Sequence, residues 1–91
     1  MLEARIKVVN RLGLHARAAA QLVRLAGRFQ SRIMIRRLDR DLTVNAKSIL
    51  SVLTLAAAIG TELLVTADGT DESEALEEIG ALFANKFNET S

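Results

Sequence analysis

Residues 11–17, Arg11-Leu12-Gly13-Leu14-His15-Ala16-Arg17, connect a predicted strand to a predicted helix and contain the only histidine of the chain. A side chain just before a helix faces backbone N–H groups that have no intrahelical partner, together with the positive end of the helix dipole. Anions bind readily there. A neutral imidazole in this place can act as a nucleophile, and Arg17 would neutralise the charge of a phosphoryl group that it accepted. His15 is therefore a candidate covalent site, although a lone histidine in such a loop is more often a capping or surface residue.

Two different periodicities flank this stretch. In residues 2–9 apolar side chains alternate with charged ones, which predicts a half-buried strand. Residues 16–29 instead show the three- and four-residue spacing of a helix. Its apolar stripe consists of Ala19, Leu22, Ala26 and Phe29, and its largely basic face consists of Arg17, Gln21, Arg24 and Arg28. Gly27 predicts an early end of this helix.

The remaining pattern predicts three more strands and two more helices. Residues 32–38 and 42–44 predict a hairpin, residues 45–48 can cap a short apolar helix over 49–55, and residues 61–67 predict a strand. The last helix begins with a predicted capping box of Asp71 and Glu74, and its apolar stripe consists of Ala75, Leu76, Ile79, Leu82 and Phe83. The order β-α-β-β-α-β-α predicts an α+β fold, a two-layer sandwich with three helices over a four-stranded antiparallel sheet.

Length and composition limit the classes of protein. A chain of 91 residues with 49% hydrophobic and 25% charged residues predicts one folded domain over residues 1–91. Because cysteine is absent and histidine occurs once, we expect neither a disulfide framework nor a metal site. No stretch approaches the roughly 18 apolar residues of a membrane span, and no secretory leader is recognised. We therefore expect a cytoplasmic protein without membrane insertion.

The charges are unevenly distributed. Residues 1–40 carry ten Lys or Arg against two acidic residues, a net charge of +8, whereas residues 41–91 carry two against nine, a net charge of −7. The half that contains His15 would attract an acidic or phosphate-bearing partner, although the segregation is also compatible with a solvated surface. Nucleic acid is not expected, because the three aromatic residues, Phe29, Phe83 and Phe87, fall in helical patterns and leave none for a base-stacking sheet.

Two separated motifs resemble the bacterial HPr family of phosphocarrier proteins. They are Gly13-Leu14-His15-Ala16-Arg17 and Asn45-Ala46-Lys47-Ser48-Ile49-Leu50-Ser51-Val52-Leu53. The resemblance covers nearly the whole chain, including Gly60 before the last strand and the Ala67-Asp68-Gly69 turn. It implies the open-faced sandwich with strand order 1-4-2-3. One position departs from the family, since Ala18 stands where proline is usual.

The resemblance also implies a reaction. His15 would accept a phosphoryl group on its Nδ1 atom from phosphorylated enzyme I of the phosphotransferase system and pass it to a sugar-specific enzyme IIA. The helix start fits this role because it disfavours imidazolium and so preserves the attacking lone pair. Arg17 would be the electrostatic partner of the transferred group, with the amides of Ala16 and Arg17 as donors. The protein would be a monomeric carrier rather than an enzyme and would need no cofactor.

The second motif implies regulation and docking. Ser48 lies where the family has a serine that an HPr kinase/phosphorylase modifies in some bacteria, although a serine at a helix start is more often only an N-cap. Around His15 a patch for both partners in turn is expected, formed by Ala16, Ala20, Arg24, Ile49, Leu50 and Leu53. The alternative is that Ile49 and Leu53 belong to the core, because a short helix must bury one side.

Two other functions remain open from the sequence. A nitrogen-regulatory paralogue of HPr would use the same histidine with a different enzyme I. A small regulatory domain would instead hold an anionic metabolite at His15 and the basic face, without covalent chemistry. Addition of one phosphoryl group, stable in base and lost in acid, separates a carrier from a binder.

Overall fold

A computed structural model describes residues 1–89. Its elements, in chain order, are β1 (Leu2–Lys7), α1 (Ala16–Ala26), β2 (Arg32–Arg37), β3 (Leu42–Asn45), α2 (Ile49–Thr54), β4 (Glu62–Asp68) and α3 (Glu72–Ala84), followed by a 3₁₀ turn at Lys86–Asn88. The predicted α+β order is therefore confirmed. No helix within residues 1–89 has the length and apolar character needed to cross a membrane.

The four strands form one antiparallel sheet in the order β1-β4-β2-β3, as predicted. The central strand β4 pairs with β1 on one side and with β2 on the other, and its side chains alternate strictly. Leu63, Val65 and Ala67 are fully buried under the helices, which pack on one face only. The opposite face is open and carries Arg5 and Arg36 on either side of Leu64. One-sided burial thus explains the period-two pattern.

Helix α1 ends at Ala26, three residues before the end of its predicted range, as Gly27 indicated. The N–H groups of Arg28 and Phe29 bond to the carbonyls of Leu25 and Ala26, three residues back, so the last turn tightens into a loop. Phe29 nevertheless stays in the core with the rest of the predicted stripe, Ala19, Leu22 and Ala26. The apolar periodicity is therefore correct beyond the point where the helix stops.

The predicted capping box at α3 is wrong. Asp71 occupies the N-cap position, but its side chain caps nothing in the helix. The carboxylate instead accepts hydrogen bonds from the backbone N–H groups of Gln30 and Ser31, at 2.8 and 2.9 Å, and from the Ser31 hydroxyl. The Ser31 hydroxyl is the main cause of the lowered pKa of Asp71, followed by the Gln30 amide. Asp71 therefore fastens the α1–β2 loop to α3, and this contribution fades as the pH falls through its lowered pKa.

The chain after α3 also differs from the helical pattern expected around Phe87. Helix α3 ends at Ala84, and Lys86, Phe87 and Asn88 adopt left-handed backbone with φ values of 55, 54 and 61°. Such a backbone costs a residue other than glycine about 1–2 kcal/mol. Burial of Phe87, whose ring stands edge-on to Phe83 with centroids 4.9 Å apart, offsets this strain. The turn sends the following residue, Glu89, back across the start of α1.

Ala18→Pro is expected to raise the urea midpoint of unfolding. The first helical hydrogen bond of α1 runs from the N–H of Ala19 to the carbonyl of His15, at 2.8 Å, so Ala18 lies in the first turn, where proline removes no helical bond. By restricting the unfolded chain the change should stabilise by about 0.4–1 kcal/mol. The control is Ala20→Pro, which lies inside the same helix and should destabilise by about 3 kcal/mol. A clear fall for both variants would show that this turn cannot accept the ring.

Candidate functional site

The loop before α1 has a fixed shape that only glycine permits. Gly13 has φ +66°, and a Cβ atom there would lie 2.4 Å from the carbonyl oxygen of Ala57. That same oxygen accepts the N–H of Leu14 at 2.8 Å. The buried amide of Asn10 donates from Nδ2 to the Gly13 carbonyl, also at 2.8 Å. The loop is thereby tied to the segment after α2, and the direction of the next side chain, His15, is set.

His15 is the N-cap residue of α1, as predicted from the sequence. Its backbone is extended, with φ −72° and ψ 176°, and its side chain makes no capping hydrogen bond. No acidic residue lies in the first turn of the helix. The side chain is 29% exposed, so the ring is held yet open to a partner. The positive end of α1 is thus available to an anion beside the imidazole.

The structure brings to His15 two residues that the sequence did not reveal, Glu89 and Asn10. Oε2 of Glu89 lies 2.7 Å from Nε2 of His15, and Nδ2 of Asn10 donates to the same oxygen at 3.0 Å. The hydrogen bond from His15 is the main cause of the lowered pKa of Glu89, with a further contribution from Asn10. An ionised carboxylate only accepts, so this contact is a hydrogen bond when Nε2 carries the hydrogen; in a neutral ring that tautomer has its free lone pair on Nδ1.

His15 opens into a shallow cleft of about 300 Å³. Its lining residues are Leu12, His15, Arg17, Gln21, Phe87, Asn88 and Glu89. Arg17 is exposed, and it forms no ion pair within residues 1–89. A cleft of this size accommodates a phosphoryl group with room for a partner side chain. Arg17 is thus placed on the cleft, with its guanidinium free to meet an anion.

Helix α2 presents the second motif. Oγ of Ser48, the N-cap residue, accepts the N–H of Ser51 at 3.5 Å, so the predicted capping role is confirmed. Val52 is the buried residue of the helix, and Leu55, its C-cap residue, is also buried. Three other apolar side chains remain exposed, Ile49 at 40%, Leu50 at 76% and Leu53 at 36%. The alternative that Ile49 and Leu53 are core residues is therefore wrong.

The exposed face of α1 lies beside this surface, because α1 and α2 pack against each other. Ala16 and Arg24 are exposed and Ala20 is half-buried, so all three are accessible from solvent. Leu12, at 63% exposure, lines the His15 cleft and extends the apolar area. The alternation of the first strand ends before Leu12, so no pattern in the sequence selects this residue. We call Leu12, Ala16, Ala20, Arg24, Ile49, Leu50 and Leu53 the docking face.

No cluster of three or more potential metal ligands occurs in the part of the chain that the structure describes. Around His15 the only acidic side chain on the cleft is Glu89, which already accepts two hydrogen bonds. Among residues 1–89 the donor set at this site is one imidazole and one carboxylate, fewer protein ligands than zinc sites usually have.

Comparison with known proteins agrees with this geometry. A family model described as "PTS HPr component phosphorylation site" matches residues 2–85. The phosphocarrier protein HPr of Cupriavidus necator is 47% identical over 89 residues, which make up 98% of each chain. The crystal structure of HPr-C-His from Thermoanaerobacter tengcongensis has a TM-score of 0.93 and 37% identity over the whole of both chains. That of an HPr dimer from the same organism has a TM-score of 0.77 and 38% identity, covering 98% of this chain and 100% of the other. The chain belongs to the HPr family of phosphocarrier proteins of the phosphotransferase system.

Proposed function

We propose that His15 accepts a phosphoryl group from phosphorylated enzyme I and passes it to an enzyme IIA protein, with this chain acting as a cytoplasmic carrier and not as an enzyme. The observation that carries the proposal is the contact of Nε2 of His15, which leaves Nδ1 as the free ring nitrogen. Nε2 of His15 is bonded to Glu89, so Nδ1 keeps its lone pair at the start of α1. Membership in the HPr family supports enzyme I and enzyme IIA as the partners, because the members of this family are phosphocarriers of the phosphotransferase system.

The transfer step balances without a cofactor. The Nδ1 lone pair of His15 attacks phosphorus, and the bond between phosphorus and the donor nitrogen breaks with its electron pair returning to the donor. The reverse displacement on enzyme IIA regenerates the free imidazole. Throughout, the dianionic phosphoryl group needs positive charge nearby, which Arg17 and the unpaired amides of the first turn of α1 supply. The cleft is open, so both partners can present their reacting groups directly.

Arg17→Ala should slow phosphoryl transfer from enzyme I by about 10²-fold, because one preorganised charge contact in the transition state is typically worth about that much. The fold should be unchanged, as Arg17 is exposed. Rapid-quench measurement with labelled phosphoryl donor gives the rate. The matched control is Arg36→Ala, which removes the same charge from the open sheet face. Equal rates for the two variants would reduce Arg17 to a surface residue.

The docking face is the proposed binding surface for the partners. It combines exposed aliphatic side chains on α2 with the basic side chain of Arg24 on α1. An interface with an apolar centre and a charged rim is typical of transient protein complexes, in which the rim mainly accelerates association. The acceptor and donor would therefore bind the same face in turn. We propose that the carrier works as a monomer, although an HPr dimer is known from Thermoanaerobacter tengcongensis.

Ser48 is proposed as a site at which an HPr kinase/phosphorylase could regulate docking. It is half-buried and adjoins Ile49 and Leu50 of the docking face. A phosphate adds nearly two negative charges, which a helix N-terminus tolerates but an acidic partner repels. Ser48→Asp should hence slow transfer from enzyme I without lowering the melting temperature. Ser48→Ala is the control, since it removes the cap without adding charge. Equal slowing by both variants, together with lower melting temperatures, would leave Ser48 only its structural role.

Incubation with phosphoenolpyruvate and enzyme I separates the proposal from its alternatives. A carrier gains one phosphoryl group that is lost in acid, whereas a domain that holds an anionic metabolite gains none. The nitrogen-regulatory paralogue would accept the group only from its own enzyme I. Parallel incubation with both enzymes I of the source organism therefore identifies the branch, and uptake from neither one excludes a carrier function.

A further inference from the structure

The C-terminal segment delivers one carboxylate to His15 across 74 residues of sequence. The left-handed turn at Lys86–Asn88 is anchored by the buried ring of Phe87, and Glu89 follows directly. Oε2 of Glu89 is fixed from two sides, by Nε2 of His15 and by Nδ2 of Asn10. Asn10 in turn is fully buried and holds the Gly13 carbonyl. The acceptor therefore has one orientation relative to the imidazole.

We propose that Glu89 is a positioning residue that keeps a proton on Nε2 of His15 at every step of the phosphoryl cycle. This inference rests on the proposed phosphocarrier function and deepens it. Phosphoryl transfer needs a particular nitrogen as nucleophile, and a free imidazole exchanges its proton between two nitrogens. With a carboxylate at 2.7 Å from Nε2, the tautomer that places a lone pair on Nε2 would face a negative oxygen with no proton between them. Glu89 thus selects Nδ1 as the attacking atom.

The same contact acts on the phosphorylated form. When Nδ1 bonds to phosphorus and Nε2 keeps its proton, the ring becomes a cationic phosphoimidazolium. In the next transfer the bond between Nδ1 and phosphorus breaks, and its electron pair returns to Nδ1. The leaving group is then a neutral imidazole. If the Nε2 proton were lost, the leaving group would be an imidazolate anion, which is a much poorer one. By stabilising the Nε2 proton, Glu89 keeps the phosphoryl group transferable in both directions.

The charges around the ring are arranged to divide these tasks. Among residues 1–89 the charged side chains that line the cleft with His15 are Glu89 and Arg17. The hydrogen bond from His15 lowers the pKa of Glu89, so this carboxylate is ionised at neutral pH. Its negative charge faces Nε2, and the cation and the amides of the helix start are left for the phosphoryl group on Nδ1. Glu89 therefore attracts the proton on Nε2, whereas Arg17 and the helix-start amides attract the phosphoryl group on Nδ1.

The test compares Glu89→Ala and Glu89→Gln with Glu77→Gln, an exposed control on α3. In ¹⁵N-labelled unphosphorylated protein, NMR should show the Nε2–H tautomer in the parent and the control but a mixture in Glu89→Ala. Phosphorylation by enzyme I should slow at least about tenfold in Glu89→Ala, since losing a carboxylate that fixes a histidine tautomer costs up to about 10⁴-fold in buried sites. Glu89→Gln, whose amide can donate to Nε2, should be at least equally slow.

The phosphorylated proteins give a second readout that a purely structural role would not change. At neutral pH the phosphohistidine of Glu89→Ala should hydrolyse more slowly than that of the parent, and its hydrolysis should accelerate only at lower pH. Unchanged tautomers, or changed tautomers with unchanged transfer and hydrolysis rates, would overturn the proposed role of Glu89. Absence of phosphorylation in the parent protein would instead contradict the phosphocarrier function, while the NMR measurement would still report whether Glu89 fixes the proton.

Discussion

Replacing His15 by alanine is expected to abolish phosphoryl uptake from enzyme I and to leave the fold intact. The reason is chemical, because His15 is the only imidazole of the chain and its Nδ1 atom is the proposed nucleophile. The side chain makes one hydrogen bond, to Glu89, and no capping bond, so its removal takes little from the fold. Intact-mass analysis after incubation with phosphoenolpyruvate and enzyme I measures the uptake, and thermal unfolding measures the stability.

Glu77→Gln, treated in parallel, provides a substituted chain that should gain one phosphoryl group like the parent. His15→Ala should gain none, with a melting temperature within a few degrees of the parent. An acid-labile phosphate on His15→Ala would show that another residue is an acceptor. Loss of the folded state in this variant would show that the ring has a structural role that its one hydrogen bond does not explain.

Gly13→Ala is expected to destabilise the fold strongly. The methyl group of the alanine would lie 2.4 Å from the carbonyl oxygen of Ala57, and the alanine backbone would have to adopt φ +66°. The left-handed backbone alone costs about 1–2 kcal/mol. Because that carbonyl also accepts the N–H of Leu14, relief of the clash would break the tie that aims His15. We expect a loss of at least about 2 kcal/mol, or about 8–16 °C in melting temperature.

Two other glycines separate the causes of this effect. Gly60 also has positive φ, +90°, but has nothing within 4 Å of its added Cβ, so Gly60→Ala measures the backbone cost alone. Gly80 lies inside α3 with equally open space, and Gly80→Ala should stabilise by about 0.5–1 kcal/mol. If Gly13→Ala were no worse than Gly60→Ala, the close approach to Ala57 would have no energetic consequence.

The fold could be predicted from the sequence because its elements each bury one face. The alternation in β4 and the apolar stripe of α3 both correspond to side chains in the single core. The apolar stripe does not predict where α1 ends, because the stripe continues through Phe29, which packs in the core from the loop after the helix. Periodicity reports which side chains are buried and does not report where the helical hydrogen bonds end.

The candidate site was predictable only where it is local in sequence. His15 and Arg17 follow from their position at a strand-to-helix junction. Glu89, in contrast, reaches the ring through the folded chain, after a left-handed turn that no helical or strand pattern predicts. Asn10 is near in sequence, but its part in the site depends on the remote Glu89, to which it donates. Asp71 shows the same limit, since its carboxylate has a local capping partner available and binds a distant loop instead. Hydrogen bonds between remote loops leave no periodic signal.

The docking face illustrates an intermediate case. The pattern of α2 could not decide whether Ile49 and Leu53 belong to the core or to the surface, because a helix of six residues has room for only one buried row. Packing of Val52 and Leu55 occupies that row and leaves the other apolar side chains outside. This exposed apolar area beside His15 is the surface that we propose for partner binding.

If Nδ1 of His15 is the nucleophile, this atom must carry the phosphoryl group after transfer. NMR of the ¹⁵N-labelled protein after incubation with phosphoenolpyruvate and enzyme I tests this, with detection of the coupling between ³¹P and the ring nitrogens. We expect one phosphoryl group per chain, bonded to Nδ1 of His15, with a hydrogen retained on Nε2. A phosphoryl group on Nε2, on any other residue, or no phosphoryl group at all would contradict it.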